Sequence, residues 1–158
     1  MLQAFSRKFR RCVRALVLTV VALAVIFAAP VGALAASNSP LIEAAKSGDT
    51  AEVVRLLAGG AGVDHQGVNG TTALTWASFN GHGAIVEALP ARGAAIDAQN
   101  RDGITALIIA SYFGRTNIVA ALLANGANTT LHVRDGNTAL SLAKNAAIKD
   151  MLRAAAKP

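Results

Sequence analysis

The stretch Thr72-Ala73-Leu74 recurs as Thr105-Ala106-Leu107 and again as Thr138-Ala139-Leu140, and each step along the chain is 33 residues. One further step back lands on Ser39-Pro40-Leu41. Other positions keep the same register, namely Ala44, Ala77, Ala110 and Ala143, then Gly48, Gly81 and Gly114, then Gly60-Ala61, Gly93-Ala94 and Gly126-Ala127. Self-similarity at a fixed period of this length predicts a solenoid of stacked structural repeats.

Each repeat carries the signals of two short helices. A hydroxyl residue stands where the first helix should begin, and its oxygen can accept a hydrogen bond from a free backbone N–H; these residues are Ser39, Thr72, Thr105 and Thr138. Pro40 occupies the first helical position, where a missing N–H costs little. We expect the mid-repeat glycines to end the first helix in the left-handed conformation. A second amphipathic helix should follow and end at Gly60, Gly93 or Gly126, before a turn or hairpin that leads to the next repeat.

At these residues the chain resembles the ankyrin repeat, whose signature begins the first helix with Thr-Pro-Leu-His. The resemblance covers residues 39–158 and implies an all-α solenoid of about four helix-turn-helix repeats with projecting turns or hairpins. We place the repeats at about 37–68, 69–101, 102–134 and 135–158. The chain departs from the signature at the histidine, so the hydrogen bonds of that side chain are absent; the positions hold Ile42, Thr75, Ile108 and Ser141.

The N-terminal segment has the pattern of a secretory signal peptide. Residues 1–14 carry five Lys and Arg and no acidic residue, residues 15–29 are uncharged and mostly apolar, and Ala33-Leu34-Ala35 supplies the small residues of a cleavage site. A basic start, a short apolar run and an Ala-x-Ala end predict export. We therefore expect residues 1–35 to be removed and residues 36–158 to be the mature domain, in the periplasm or secreted from a bacterium.

An uncleaved membrane anchor is the alternative for this segment. A membrane-spanning helix needs about 20 apolar residues, and the run reaches that length only if it extends through Pro30 to Ala36. Cys12 precedes the apolar run and cannot be the acylated cysteine of a lipoprotein. Membrane association is expected only if the segment is retained.

The mature chain has almost no net charge. It keeps 10 of the 15 Lys and Arg and all 9 Asp and Glu, so its net charge falls from +6 to +1. The pI of about 10.3 therefore reflects the N-terminal segment, and we expect no nucleic-acid partner. Residues 36–158 contain no cysteine, which excludes cysteine-based metal or thiol chemistry there.

The remaining polar residues give no catalytic pattern. His65, His82 and His132 show no spacing that would bring metal ligands together. The aspartates recur at the repeat period as Asp64 and Asp97, and as Asp102 and Asp135, which favours a role in turns. A phosphate-binding loop, a Gly-x-Ser-x-Gly elbow and a His-Glu-x-x-His motif are all missing from the sequence. We therefore predict a protein that is not an enzyme and needs no cofactor.

The resemblance implies a concave binding face made of the loop tips and the exposed side of each first helix. On this chain it assigns partner-binding roles to Phe79, Asn80, Arg101, Asp102, Ile104, Tyr112, Phe113, Arg134 and Asp135. Aromatic and Arg side chains are enriched in interface cores. Phe79 and Phe113 could instead turn inward between repeats, whereas Tyr112, with its polar tip, should lie outside. Phe79 and Tyr112 are one period apart, so we expect them to be neighbours.

The favoured function is a monomeric, non-catalytic adaptor or protective partner of an unidentified protein in the bacterial periplasm. A membrane-anchored structural protein is one alternative. A small-molecule binder or enzyme that uses the loops is another, and it would need a defined pocket around His65 or His132. Fold-level resemblance by itself indicates protein binding and no more.

One position breaks the pattern of the second helix. Pro90 stands in the column held by Leu57 and Leu123 in the neighbouring repeats. Proline lacks the N–H that bonds to the residue four before it and clashes with that residue's carbonyl. We predict that the second helix of repeat two ends or kinks just before Pro90.

Overall fold

Four pairs of α-helices follow one another along the chain in a computed structural model that describes residues 39–156. The pairs are α1 (Pro40–Ser47) with α2 (Thr50–Ala58), α3 (Ala73–Asn80) with α4 (Gly83–Ala88), α5 (Ala106–Tyr112) with α6 (Thr116–Ala124), and α7 (Ala139–Leu142) with α8 (Ala146–Ala155). No β-strand occurs within residues 39–156, so the predicted all-α repeat architecture is confirmed. The predicted signal peptide and its cleavage site lie outside the described residues.

The threonines predicted to begin the first helices do so. The Oγ1 atom of Thr72 accepts from the backbone N–H of Thr75 at 3.3 Å, and Thr105 and Thr138 make the same bond to the residue three positions on. The prediction was wrong for Ser39, whose hydroxyl is buried and makes no such bond. The reason is that the N–H of Ile42 bonds instead to the backbone carbonyl of Ser39, at 2.9 Å.

The mid-repeat glycines adopt the predicted left-handed conformation. Gly48 has φ +83° at the end of α1, and Gly81 and Gly114 have φ +88° and +71°. At Gly48 the neighbouring repeat adds a second requirement, since a Cβ there would lie 2.6 Å from Cε1 of His82. A side chain at this position would therefore be strained by its backbone and would also displace the His82 ring.

The helices stack in two rows that share an aliphatic core. First helices pack in the order α1, α3, α5, α7, and each second helix packs against its own first helix and the next second helix. The largest fully buried side chains are Leu41, Ile42, Ile85, Leu89, Leu107, Ile108, Leu122, Ile148 and Leu152, with Val53, Val86 and Val119. Burial of one such side chain stabilises the fold by about 1.5–3 kcal/mol, and no single repeat could bury its apolar face alone.

Hydrogen bonds between loops join repeat one to repeat two and repeat two to repeat three. The carboxylate of Asp64 accepts from the N–H of Ala95 at 2.8 Å, and Asp97 accepts from the N–H of Asn128 at 2.9 Å. These bonds explain why an aspartate recurs at the repeat period. Sequence periodicity predicted a turn role for both residues, and the structure adds that each bond crosses into the following repeat.

Pro90 ends the second helix of repeat two, as predicted. α4 stops at Ala88, and a single 3-10 turn, Pro90–Arg92, replaces the rest of the helix. Leu89, just before the proline, is fully buried. The helix therefore keeps its last core contact and loses only the turn that proline cannot continue.

The outer repeats carry the ion pairs seen within residues 39–156. They join Glu43 to Lys46 at 3.6 Å, Glu52 to Arg55 at 2.6 Å and Asp150 to Arg153 at 3.2 Å, each within one helix. The hydrogen bond from Arg55 lowers the pKa of Glu52 below its ordinary value. Exposed pairs of this kind add little to stability, so the stack is held together by its core and by the bonds between repeats.

Candidate partner-binding face

Four aromatic rings form a continuous row across α3 and α5. The Trp76 and Phe79 centroids are 5.8 Å apart, those of Phe79 and Phe113 are 4.8 Å apart, and those of Phe113 and Tyr112 are 5.1 Å apart. Each pair is close to perpendicular, with interplanar angles of 81–88°. Edge-to-face packing places the positive edge of one ring on the negative face of the next. We call Trp76, Phe79, Phe113 and Tyr112 the aromatic row.

The repeat itself brings these rings together. Trp76 and Phe79 are three residues apart in α3 and so share one side of that helix. Tyr112 is the last residue of α5, and Phe113 caps it. Because α3 packs against α5, the ring of Phe113 contacts the rings of both Phe79 and Tyr112. Phe79 and Tyr112, which we expected to be neighbours, are thus linked through the ring of Phe113.

The row lies at the surface and is not part of the core. All four side chains are partly exposed, and none falls among the buried residues. Phe79 and Phe113 therefore do not turn fully inward between repeats, which was the alternative for them. The four rings are also the only aromatic side chains in residues 36–158. The core is thus aliphatic, and the aromatic side chains are concentrated on one face.

Trp76 belongs to this face although sequence reasoning did not select it. Its Nε1 is buried and has no hydrogen-bond partner among the described residues. The ammonium of Lys46 lies 5.3 Å from its ring centroid, within the range of a cation–π contact. The signal that could have found Trp76 is its position three residues before Phe79 on the same helix.

Of the predicted binding residues at the loop tips, three have exposed side chains: Arg101, Arg134 and Asp135. Asp102 is half-buried and accepts a hydrogen bond from the side-chain amide of Asn69 at 2.7 Å. Ile104 is only 8% exposed and belongs to the core, so its side chain offers no contact surface. Burial could have been anticipated there, because Ile104 directly precedes the helix-capping Thr105.

Asn80 and His82 tie repeat two to repeat one. The side-chain amide of Asn80 donates to the carbonyl of Lys46 at 3.0 Å, and Nε2 of His82 lies 3.2 Å from the same oxygen. These contacts give both Asn80 and His82 a structural role beside the aromatic row.

Residues 39–156 show no arrangement suited to metal binding, since no three or more His, Cys, Asp or Glu side chains come close enough to share an ion. His132 places Nδ1 3.2 Å from the carbonyl of Val133, and His65 is exposed. Within the same range, no helix has the length and apolarity needed to cross a membrane.

Comparison with known proteins agrees with the repeat pattern. The family model described as "Ankyrin repeats (3 copies)" matches residues 2–100 and 85–155. A comparison with curated proteins gave no match. The 33-residue period, the paired helices and the family match lead to one conclusion: the chain belongs to the ankyrin-repeat family.

Proposed function

We propose that this protein is a non-catalytic adaptor or protective partner of another protein in the bacterial periplasm, and that it binds through the aromatic row. Ankyrin repeats are generally protein-interaction modules. The observation that carries the proposal is the concentration of all four aromatic side chains of residues 36–158 on one partly exposed face.

The energetics of association favour such a row. Rings that already pack edge-to-face lose little conformational freedom when a partner covers them, because each has only two side-chain torsions. Buried aromatic anchors supply most of the binding energy in many interfaces. A protein surface that binds no partner is not expected to concentrate aromatic side chains at one place.

The periplasmic location is supported by the N-terminal sequence, in which a basic segment and an apolar run precede Ala33-Leu34-Ala35. A low net charge for the mature domain fits a protein partner better than a nucleic acid. We propose that the mature protein is a monomer, with both ends of the stack carrying charged side chains that keep it soluble.

Affinity capture from the native bacterium tests this function. The chain is expressed from its full sequence with a C-terminal tag, and co-purifying proteins are identified by mass spectrometry. The same experiment is run with a Phe79→Ala/Tyr112→Ala variant and with Val54→Ala, which removes an exposed apolar side chain (40% exposed) from α2. One partner should be retained by the wild type and Val54→Ala and lost by the double variant. Equal retention by a folded double variant would rule out the row as the binding site.

A further inference from the structure

The two halves of the repeat domain differ in charge. Residues 36–100 hold three Lys and Arg against six Asp and Glu, a net charge of −3. Residues 101–158 hold seven against three, a net charge of +4. The near-neutral total therefore hides an acidic N-terminal half and a basic C-terminal half.

Most of the carboxylates are already engaged inside the protein. Asp49 caps α2, Asp64 and Asp97 accept N–H bonds from the following repeat, Asp102 accepts from Asn69, and three acidic residues form the ion pairs of the outer repeats. Each of these carboxylates therefore has at least one hydrogen-bond or ion-pair partner within the protein.

Four cations of the C-terminal half are not engaged in this way. Arg101, Arg115, Arg134 and Lys144 are exposed, and none of them takes part in the ion pairs found within residues 39–156. Their guanidinium and ammonium groups thus remain available as donors to a ligand.

Two of these cations lie against the glycines that follow the first helices of the aromatic row. The guanidinium of Arg115 lies over Gly81, 3.4 Å from where a Cβ on that glycine would stand, and Gly81 is two residues after Phe79. The aliphatic stem of Lys144 lies over Gly114, which follows Phe113, with its Cδ 3.4 Å from where a Cβ on that glycine would stand. Both side chains cross the C-terminal end of a first helix, where the helix dipole favours positive charge. Neither Arg115 nor Lys144 has a carboxylate partner in the ion pairs of residues 39–156.

We propose that the partner segment is acidic: an aromatic or aliphatic side chain anchors on the aromatic row, and neighbouring carboxylates pair with Arg115 and Lys144. Arg101 and Arg134, one period apart, add two exposed cations at the loop tips. Arg presents a planar fork that binds a carboxylate through two N–H groups at once. The acidic N-terminal half repels such a segment, so its carboxylates lie over repeats three and four. This inference rests on the proposed function and names the chemistry of its partner.

Selection from a random peptide library displayed on phage tests the inference without a known partner. The full chain is immobilised, and an excess of the Tyr112→Ala variant in solution removes peptides that bind elsewhere. We expect the selected peptides to combine an aromatic or aliphatic residue with a surplus of Asp and Glu. Rim charges act mainly on the association rate and on its salt dependence. An Arg115→Gln/Lys144→Gln variant should therefore bind the selected peptides about tenfold more weakly at low ionic strength, with the difference narrowing as salt is added.

Arg92→Gln is the matched control, because Arg92 is an exposed cation in repeat two that also lacks an ion pair among the described residues. It should bind within about twofold of the wild type, because Arg92 lies in the turn that follows α4 and not at the end of a first helix. A neutral or basic consensus, a selection that enriches nothing, or unchanged affinity of the Arg115/Lys144 variant would each overturn the inference. The inference would also be overturned if the protein bound phosphatidylglycerol vesicles as tightly as it binds the selected peptides and the binding depended on these charges. That result would assign the cations to a membrane surface. In one further outcome, the Phe79→Ala/Tyr112→Ala variant loses the captured native partner while the Arg115→Gln/Lys144→Gln variant retains it. In that case the proposed function stands, and only the inference of an acidic partner is wrong.

Discussion

The ring of Phe113 lies edge-on against the ring of Phe79, with their centroids 4.8 Å apart and their planes at 87°. The two residues belong to neighbouring repeats, so the contact joins α3 to α5 on the exposed side of the stack. Edge-to-face pairs of this kind add about 0.5–1.5 kcal/mol beyond the area they bury. The contact also fixes the position of both rings before any partner arrives.

Tyr112→Ala separates binding from stability. Tyr112 lies at one end of the aromatic row and is partly exposed. Removal of a true anchor costs about 2 kcal/mol or more, which is roughly a thirtyfold loss of affinity. We expect partner capture to be lost or strongly weakened while the thermal unfolding midpoint stays nearly unchanged.

Calorimetry and a binding titration on the same Tyr112→Ala sample provide the check. A large fall in the unfolding midpoint would show that Tyr112 stabilises the fold, and the proposed site would then be wrong. A folded variant that binds as tightly as the wild type would move the interface to another face of the stack.

Asp102→Ala should destabilise the protein although it lies in a loop. The carboxylate of Asp102 accepts the side-chain N–H of Asn69 at 2.7 Å in a half-buried position. Loss of a hydrogen bond to a charged acceptor costs about 1.5–3 kcal/mol. We expect the free energy of unfolding, measured by urea denaturation, to fall by that amount.

Asp135→Ala is the control for Asp102, since Asp135 occupies the same column one period later. Its side chain is exposed, and its carboxylate has no hydrogen bond to another repeat within residues 39–156. We expect a change of less than about 0.5 kcal/mol there, as for most surface substitutions. A double-mutant cycle of Asp102→Ala with Asn69→Ala measures the interaction between these two side chains. Additive effects of Asp102→Ala and Asn69→Ala would show that their hydrogen bond contributes nothing to stability.

Gly103 and Gly136 form a second matched pair one period apart. Both have positive φ, +78° and +76°. A Cβ on Gly103 would lie 2.9 Å from the carbonyl oxygen of His132, whereas a Cβ on Gly136 would meet no atom within 4 Å. Gly136→Ala should therefore cost only the strain of the left-handed backbone, about 1–2 kcal/mol.

Gly103→Ala adds a clash with the carbonyl of His132, in the loop that leads to repeat four, and we expect at least about 1 kcal/mol of further destabilisation. Urea denaturation of the two variants side by side measures the difference. If the two substitutions cost the same, the loops at Gly103 and His132 separate easily, and the contact between these two loops is looser than the geometry indicates.

The period of 33 was sufficient to predict the fold, because each repeat must bury its apolar face on the next. Threonine hydroxyls and mid-repeat glycines act through the adjacent backbone, so the sequence could place them. The prediction that the Ser39 hydroxyl caps α1 was wrong because of a backbone angle that the sequence does not reveal. The φ of Ser39 is −61°, while the other three cap residues have φ between −94° and −99°.

The candidate face was only partly predictable from the sequence. The repeat pattern gives the position of a residue within its repeat, but it does not determine whether the side chain is buried or exposed. Ile104 fell in a binding column and is buried. Trp76 fell outside the chosen columns and lies in the aromatic row. Both depend on how α3, α5 and the loops fit together, and a side chain's exposure follows from that fit.

Export predicts a shortened protein. We expect cleavage after Ala35, because Ala33-Leu34-Ala35 follows the apolar run at the spacing of a signal peptidase site. Intact-mass measurement of protein from cells, combined with fractionation, should find a periplasmic chain that begins at Ala36. A mass near the full 16.1 kDa in the membrane fraction would instead support the retained anchor.

Pro90→Leu should stabilise the protein. The substitution returns an N–H that can bond to the carbonyl of Val86, and it restores the leucine found at Leu57 and Leu123 in this column. A proline inside a helix costs about 3 kcal/mol, but α4 already ends at Ala88, so the net gain should be nearer 1 kcal/mol, a rise of about 3–6 °C in the unfolding midpoint. Pro90→Ala restores the N–H alone and should give part of this rise. An unchanged or lower midpoint for both variants would show that proline suits the 3-10 turn, where its fixed φ reduces the entropy of the unfolded chain.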